Sequence, residues 1–160
     1  MLKGRPTVGD TAPDFALTNE LGEQVKLSDY IAKGRLVLAF YKDGVDRDSL
    51  EWLKSLNNDY LAIKGLDADV LAISRDSERA SLQTAGMLDL SYRLLCDTIG
   101  VVQRAYGVDD VDEKPLPSAF IIGRSGKIAY MRVGKIAQDI PSTVDIIVKL
   151  RNMEQEAPHP

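Results

Sequence analysis

Two kinds of hydrophobic pattern alternate along the 160 residues. Leu36-Val-Leu-Ala-Phe-Tyr41 is an unbroken apolar run, as a strand covered on both faces requires. Behind a turn over Lys42 to Arg47, Leu50, Leu53, Leu56, Tyr60 and Ile63 recur at helical spacing and predict a helix from about Asp48 to Lys64. Asp48 and Glu51 supply the D-x-x-E pattern of a helix start. Val70 to Ser74 reads as a second buried strand, followed by a helix over Ser77–Leu88 capped by Asp76 or Ser77. Tyr92 to Cys96 is a short strand, and Thr98 to Tyr106 a short helix stopped by Gly107. Ala119–Ile122 and Lys127–Val133 form a hairpin around Arg124-Ser-Gly126. A last helix is predicted from Asp139 to Met153, with Pro141 tolerated in its first turn.

Strands joined by helices imply a parallel arrangement with helices on both sheet faces, an α/β fold. In such sheets ligands bind beyond the carboxyl ends of the strands, so the loop after Tyr41 is the place to look for chemistry. Residues 1–10 read as an arm within a single domain spanning 1–151. Residues 152–160 (NMEQEAPHP) read as a disordered tail that holds the only histidine, His159.

Composition narrows the function classes. The formal net charge of -4 and pI of about 5.0 argue against nucleic acid or an anionic membrane as partner. No apolar run approaches the roughly 20 residues of a membrane span, and the start lacks a signal-peptide pattern, so a cytoplasmic location is expected. The single cysteine, Cys96, has no internal disulfide partner, and no cofactor is expected.

Val8-Gly-Asp-Thr-Ala-Pro-Asp-Phe15 resembles the opening of the peroxiredoxins, the alkyl hydroperoxide reductase and thiol-specific antioxidant family. The similarity continues through Leu21-Gly22, Val25–Ser28, Leu36–Tyr41, Leu94–Asp97, Ala105–Val108 and Phe120–Ile128, nearly the whole chain. The resemblance implies a thioredoxin-like fold with an N-terminal extension, a central mixed sheet flanked by helices, and thiol-dependent reduction of hydroperoxides. In that family a PxxxTxxC motif follows the strand matching Leu36–Tyr41. Its cysteine sits in the first turn of the next helix, where the helix dipole and an arginine stabilise the thiolate that attacks the peroxide.

Laid on this chain, the motif falls on Lys42-Asp-Gly-Val-Asp-Arg-Asp-Ser49. Lys42 replaces the proline, Asp46 the threonine and Ser49 the cysteine; a one-residue gap would put Asp48 there instead. The family arginine falls on Pro117, within Leu116-Pro117-Ser118, which is similar to the cis-proline loop of thioredoxins, and a cis Leu116–Pro117 bond near the Asp43–Ser49 loop is the corresponding expectation. The chain is therefore expected to be an antioxidant-family scaffold without peroxidase activity, its degenerate site open to a peroxide or a protein partner. A second copy of the chain is a further candidate partner. The rival is an active oxidoreductase, either through Cys96 or with Ser49 an engineered replacement of cysteine. Cys96, two strands from Leu36–Tyr41 in the family sheet, would lie roughly 10 Å from the usual site. Asp43, Asp46, Asp48 and Glu51 fit no standard metal loop and are expected to cap and be solvated, as is the acidic stretch Asp109–Glu113. Trp52, off the main stripe of its helix, is left between a core, a partner and an exposed position.

Overall fold

The computed structural model describes residues 4–156; His159 lies outside them. Thirteen elements follow one another: β1 (Ala16–Asn19), β2 (Gln24–Lys26), α1 (Leu27–Ile31), β3 (Arg35–Phe40), α2 (Arg47–Asn58), α3 (Tyr60–Gly65), β4 (Ala68–Ser74), α4 (Glu78–Leu88), β5 (Arg93–Cys96), α5 (Val101–Ala105), β6 (Ser118–Ile122), β7 (Ile128–Val133) and α6 (Thr143–Glu156). They build one seven-stranded mixed sheet in the order β2-β1-β5-β4-β3-β6-β7. β3, β4 and β5 run parallel, and the outer pairs are antiparallel.

The apolar run of β3 is explained by the two cores it serves. Alternate side chains point to opposite sheet faces. Leu36, Leu38 and Phe40 pack with Phe15, Ile73, Leu95, Tyr106 and Phe120 on one face. Val37, Ala39 and Tyr41 pack with Trp52, Leu53, Leu56, Leu94, Ile146 and Leu150, under α2 and α6, on the other. Trp52 is thus a core residue rather than an exposed or partner-facing one.

The helix predicted over Asp48–Lys64 is two helices. It breaks at Asp59, where φ is -101° and ψ 7°, yet Leu56, Tyr60 and Ile63 keep helical spacing across the break, so the apolar pattern does not reveal it. The last helix starts at Thr143, after Pro141, with the Ser142 hydroxyl accepting from the Asp145 amide at 3.2 Å. It then runs to Glu156, so residues 152–156 are helical and not part of a tail. Two contacts hold this end: buried Arg35 donates to the Leu66 carbonyl at 3.1 Å and to the Glu154 carboxylate, and Met153 packs on the core. Residues 157–160 lie outside the described residues. The Leu116–Pro117 bond is trans, as is every other described peptide bond, which corrects the expected cis-proline loop. No described helix is long and apolar enough to cross a membrane.

Candidate active site

At the carboxyl end of β3 the chain enters Tyr41, buried against α2, and then a tight loop over Lys42–Asp46 that delivers it into α2. Asp43 organises the loop: its Oδ1 accepts from the amides of Val45 (3.0 Å) and Asp46 (2.8 Å). Its Oδ2 is held by the Lys114 ammonium, which arrives from the loop before β6. Burial opposes ionisation of Asp43, but Lys114 and the two amides outweigh it and hold the carboxyl below the ordinary range. Lys114 is pushed up in return, chiefly by its bond to Asp43.

Gly44 is where this loop meets α4. Its amide donates to Asp76 Oδ2 at 2.8 Å, and an added Cβ would lie 2.2 Å from Thr84 Oγ1. Asp76 is pushed upward, first by burial and further by neighbouring Asp43, against the pull of Gly44 and Lys114. Asp43, Asp76, Thr84 and Lys114, with Val45 and Met87, line a cavity of about 310 Å³.

The helix cap is Asp46, not Asp48. Asp46 Oδ2 accepts from the Ser49 amide at 2.9 Å and also from the Ser49 hydroxyl at 2.7 Å. The Ser49 oxygen in turn accepts from the Lys42 amide at 3.2 Å. Lys42 in the loop, Asp46 at the cap and Ser49 in the first turn of α2 are therefore one hydrogen-bonded unit, and Ser49 is only 2% exposed. Its proton is given to Asp46 and a lone pair to Lys42, so the hydroxyl is satisfied in both directions. No histidine among the described residues is available as base. Pro117 is close: Ser118 pairs with Phe40 across β6 and β3, which sets Pro117 beside Tyr41, and the Pro117 carbonyl accepts from the Gly134 amide.

The acidic residues do not converge on a common point. Asp43 and Asp46 spend their oxygens on amides and Ser49, and Glu51 pairs with Arg47 at 3.2 Å. Among the described residues no group of three could hold a metal ion. Asp43 itself is buried rather than solvated, because Lys114 neutralises it. Lys114 and Asp76 are the site residues sequence reasoning missed. Lys114 is 71 residues from its partner, and no local pattern announces such a pairing.

Cys96 stands apart, on β5, two strands away from β3. It is 6% exposed, with Sγ 3.5 Å from the Ser81 hydroxyl of α4. Burial pushes the thiol up, the Ser81 bond counters it in part, and Glu78, Glu20 and Asp76 push the same way as burial. A reactive cysteine needs the reverse. Near it, the Tyr41 hydroxyl is buried beside Ser74 and Ser81 without a well-formed hydrogen bond.

Comparison with known proteins agrees with this architecture. The AhpC/TSA family model matches residues 8–131. A 2-cysteine peroxiredoxin of Chattonella marina var. antiqua is 29% identical over 140 residues, 81% of this chain and 72% of that protein. The thiol-disulfide oxidoreductase ResA of Geobacillus kaustophilus is also 29% identical, over 82% of this chain and 72% of its own length. In structure, the peroxidoxin BcpB of Mycobacterium tuberculosis superposes with a TM-score of 0.83 at 23% identity, covering 91% of this chain and 97% of that one. A Cys-to-Ser mutant of PrxQ from Xylella fastidiosa gives 0.84 at 21% identity, covering 94% and 99%.

Proposed function

Taking as premise that this chain belongs to the AhpC/TSA family of thioredoxin-fold peroxiredoxins, we propose that it keeps the family scaffold for binding or regulation and does not turn over hydroperoxides. The observation that carries this reading is the closed Asp46–Ser49–Lys42 unit. In the family the first turn of this helix presents a thiolate, flanked by a hydroxyl and an arginine. Here the anion at the helix start is the Asp46 carboxylate, and it is consumed by the groups that would have received a ligand. The helix dipole favours that carboxylate, which stabilises the fold and does no chemistry.

Peroxide reduction requires a nucleophile that can take up an oxygen and later release it. A thiolate does this by passing to sulfenic acid, a reversible oxidation with no counterpart at a serine hydroxyl. Pro117 supplies no cation where the family places its arginine. Two basic side chains at the site loop, Lys42 and Lys114, are engaged by Asp112 at 3.9 Å and by Asp43. Cys96 is protonated, covered and off the site, which speaks against it as a substitute. The same reading carries a cytoplasmic location and binding of a protein partner, or of a second copy of the chain, at this end of the sheet.

The test is intact-protein and peptide mass spectrometry after exposure to hydrogen peroxide and an alkyl hydroperoxide. The folded protein is expected to stay unmodified at residue 49 and unoxidised at Cys96. Rapid accumulation of sulfenic or sulfinic acid on Cys96 would sink the proposal.

A further inference from the structure

The segment 109–117 crosses from α5 to β6 beside the site, and its side-chain contacts with the site loop are ion pairs. Lys114 bonds Asp43, Asp112 lies 3.9 Å from Lys42, and the Glu113 carboxylate lies 3.8 Å from Arg75. Arg75 and Gln103 also hold the Glu113 carbonyl, at 3.0 and 2.7 Å. The apolar content points the other way: Val111, at the tip, is 99% exposed. Glu113 sits at φ +65°, a left-handed conformation that costs a non-glycine residue about 1 kcal/mol or more. The base of the segment is anchored by the Asp109–Pro115 bridge and by buried Pro115 and Pro117, while its tip buries no side chain and reaches the site loop through charge.

Two of the residues it grips, Lys42 and Asp43, are those on which the site is hung. The Lys42 amide fixes the Ser49 oxygen, and Asp43 fixes the Asp46 amide. We propose that residues 109–117 form an ion-pair-latched strap that locks the Lys42–Asp46 loop and closes one side of the Asp43–Asp76 cavity, and that its release, by salt or by a competing charged partner, is the conformational switch of this molecule. This rests on the reading of the site above only for the site's location. It holds whether or not the chain has peroxidase activity.

Asp43 is depressed and Lys114 raised, so both stay charged across the neutral range and the latch answers to ionic strength. Hydrogen exchange of the purified full chain reads it directly, at the Val45 and Asp46 amides, which bond Asp43, and at Leu116, which bonds the Val108 carbonyl at 2.7 Å. Raising salt from about 0.1 M to about 1 M shortens the screening length from about 10 Å to about 3 Å. Exchange at these amides is expected to speed up by about fivefold, the ratio a partly exposed ion pair supports. Lys114→Met, which keeps the apolar stem, and Asp43→Asn, which keeps the Oδ1 acceptor, are expected to speed exchange at low salt and to leave a smaller response to salt, carried by the remaining Lys42–Asp112 and Arg75–Glu113 pairs. Core amides such as Val37 should not change in any of these. Unchanged exchange in the loop and strap, in wild type with salt and in both variants, overturns the proposal. If a variant loosens the core as well, the wild-type salt series decides alone. A salt-released strap in a protein that proves peroxidase-active would overturn the functional reading and leave this one standing.

Discussion

Replacing Ser49 with cysteine restores the family's sulfur and should still fail to make a peroxidatic centre. The Ser49 oxygen lies 2.7 Å from Asp46 Oδ2. A thiolate in its place would sit at about 3.5 Å from that carboxylate, sulfur being larger, and at an effective dielectric of about 40 the repulsion is about 2.4 kcal/mol, or about 1.7 pKa units. The start of α2 returns at most about 1 kcal/mol. Lys114 cannot offset the rest, because Asp43 already holds it. The net result is a thiol about one unit above the free value of about 8.5, and therefore mostly protonated at neutral pH. Removing the carboxylate as Asp46→Thr, which keeps a capping hydroxyl, should bring the same thiol down by more than about one unit. The assay is the pH dependence of iodoacetamide alkylation of Ser49→Cys and of Ser49→Cys with Asp46→Thr, both in a Cys96→Ala background. A pKa below about 6.5 for the single Ser49→Cys change, as at activated cysteines, together with rapid peroxide reduction, would refute the electrostatic argument. It would also make Ser49 the single missing element of an intact site.

Native Cys96, covered by α4 and pushed up by burial, is expected to alkylate far more slowly than a free thiol at pH 8, and to reach the free rate once denatured; equal rates would show that the strand end is open. Cys96 and the buried phenols of Tyr41 and Tyr92 all titrate higher folded than unfolded, so the folded state holds their protons longer. Their contribution is whole below the unfolded values, and chemical-denaturation stability should begin to fall as pH rises past about 9. A stability flat to pH 11 would contradict those burial effects. Gly44→Ala should destabilise the fold by about 1–3 kcal/mol in urea unfolding, because its Cβ meets Thr84 Oγ1 at 2.2 Å, and Thr84→Ala should recover most of the loss.

Most of the fold was legible because β3, β4 and α2 carry strong periodicity and short connections. The misses have separate physical causes. β1 is only partly covered and shows no alternation, and β2, though it alternates about buried Val25, is three residues long, too short to stand out. The break at Asp59 leaves the apolar stripe unchanged. The last turn of α6, which ends at Glu156, is contacted by Arg35, far away in sequence, so local pattern does not mark it. At the site, the motif alignment placed Ser49 in the first helical turn, whereas its bonds to Lys42 and Asp46 were seen only in the structure. The choice of cap between Asp46 and Asp48 turned on where the helix starts, which propensity does not fix to two residues. The Asp43–Lys114 pair and the trans bond before Pro117 are tertiary outcomes that no local pattern encodes.

The central claim is that the scaffold is present and the peroxidase chemistry is not. It is tested most directly by steady-state consumption of hydrogen peroxide and an alkyl hydroperoxide by the purified full chain, with dithiothreitol or thioredoxin as reductant and Cys96→Ala protein alongside. Both proteins are expected to give the rate of the reductant alone. A turnover that depends on the protein and disappears with Cys96→Ala would contradict it.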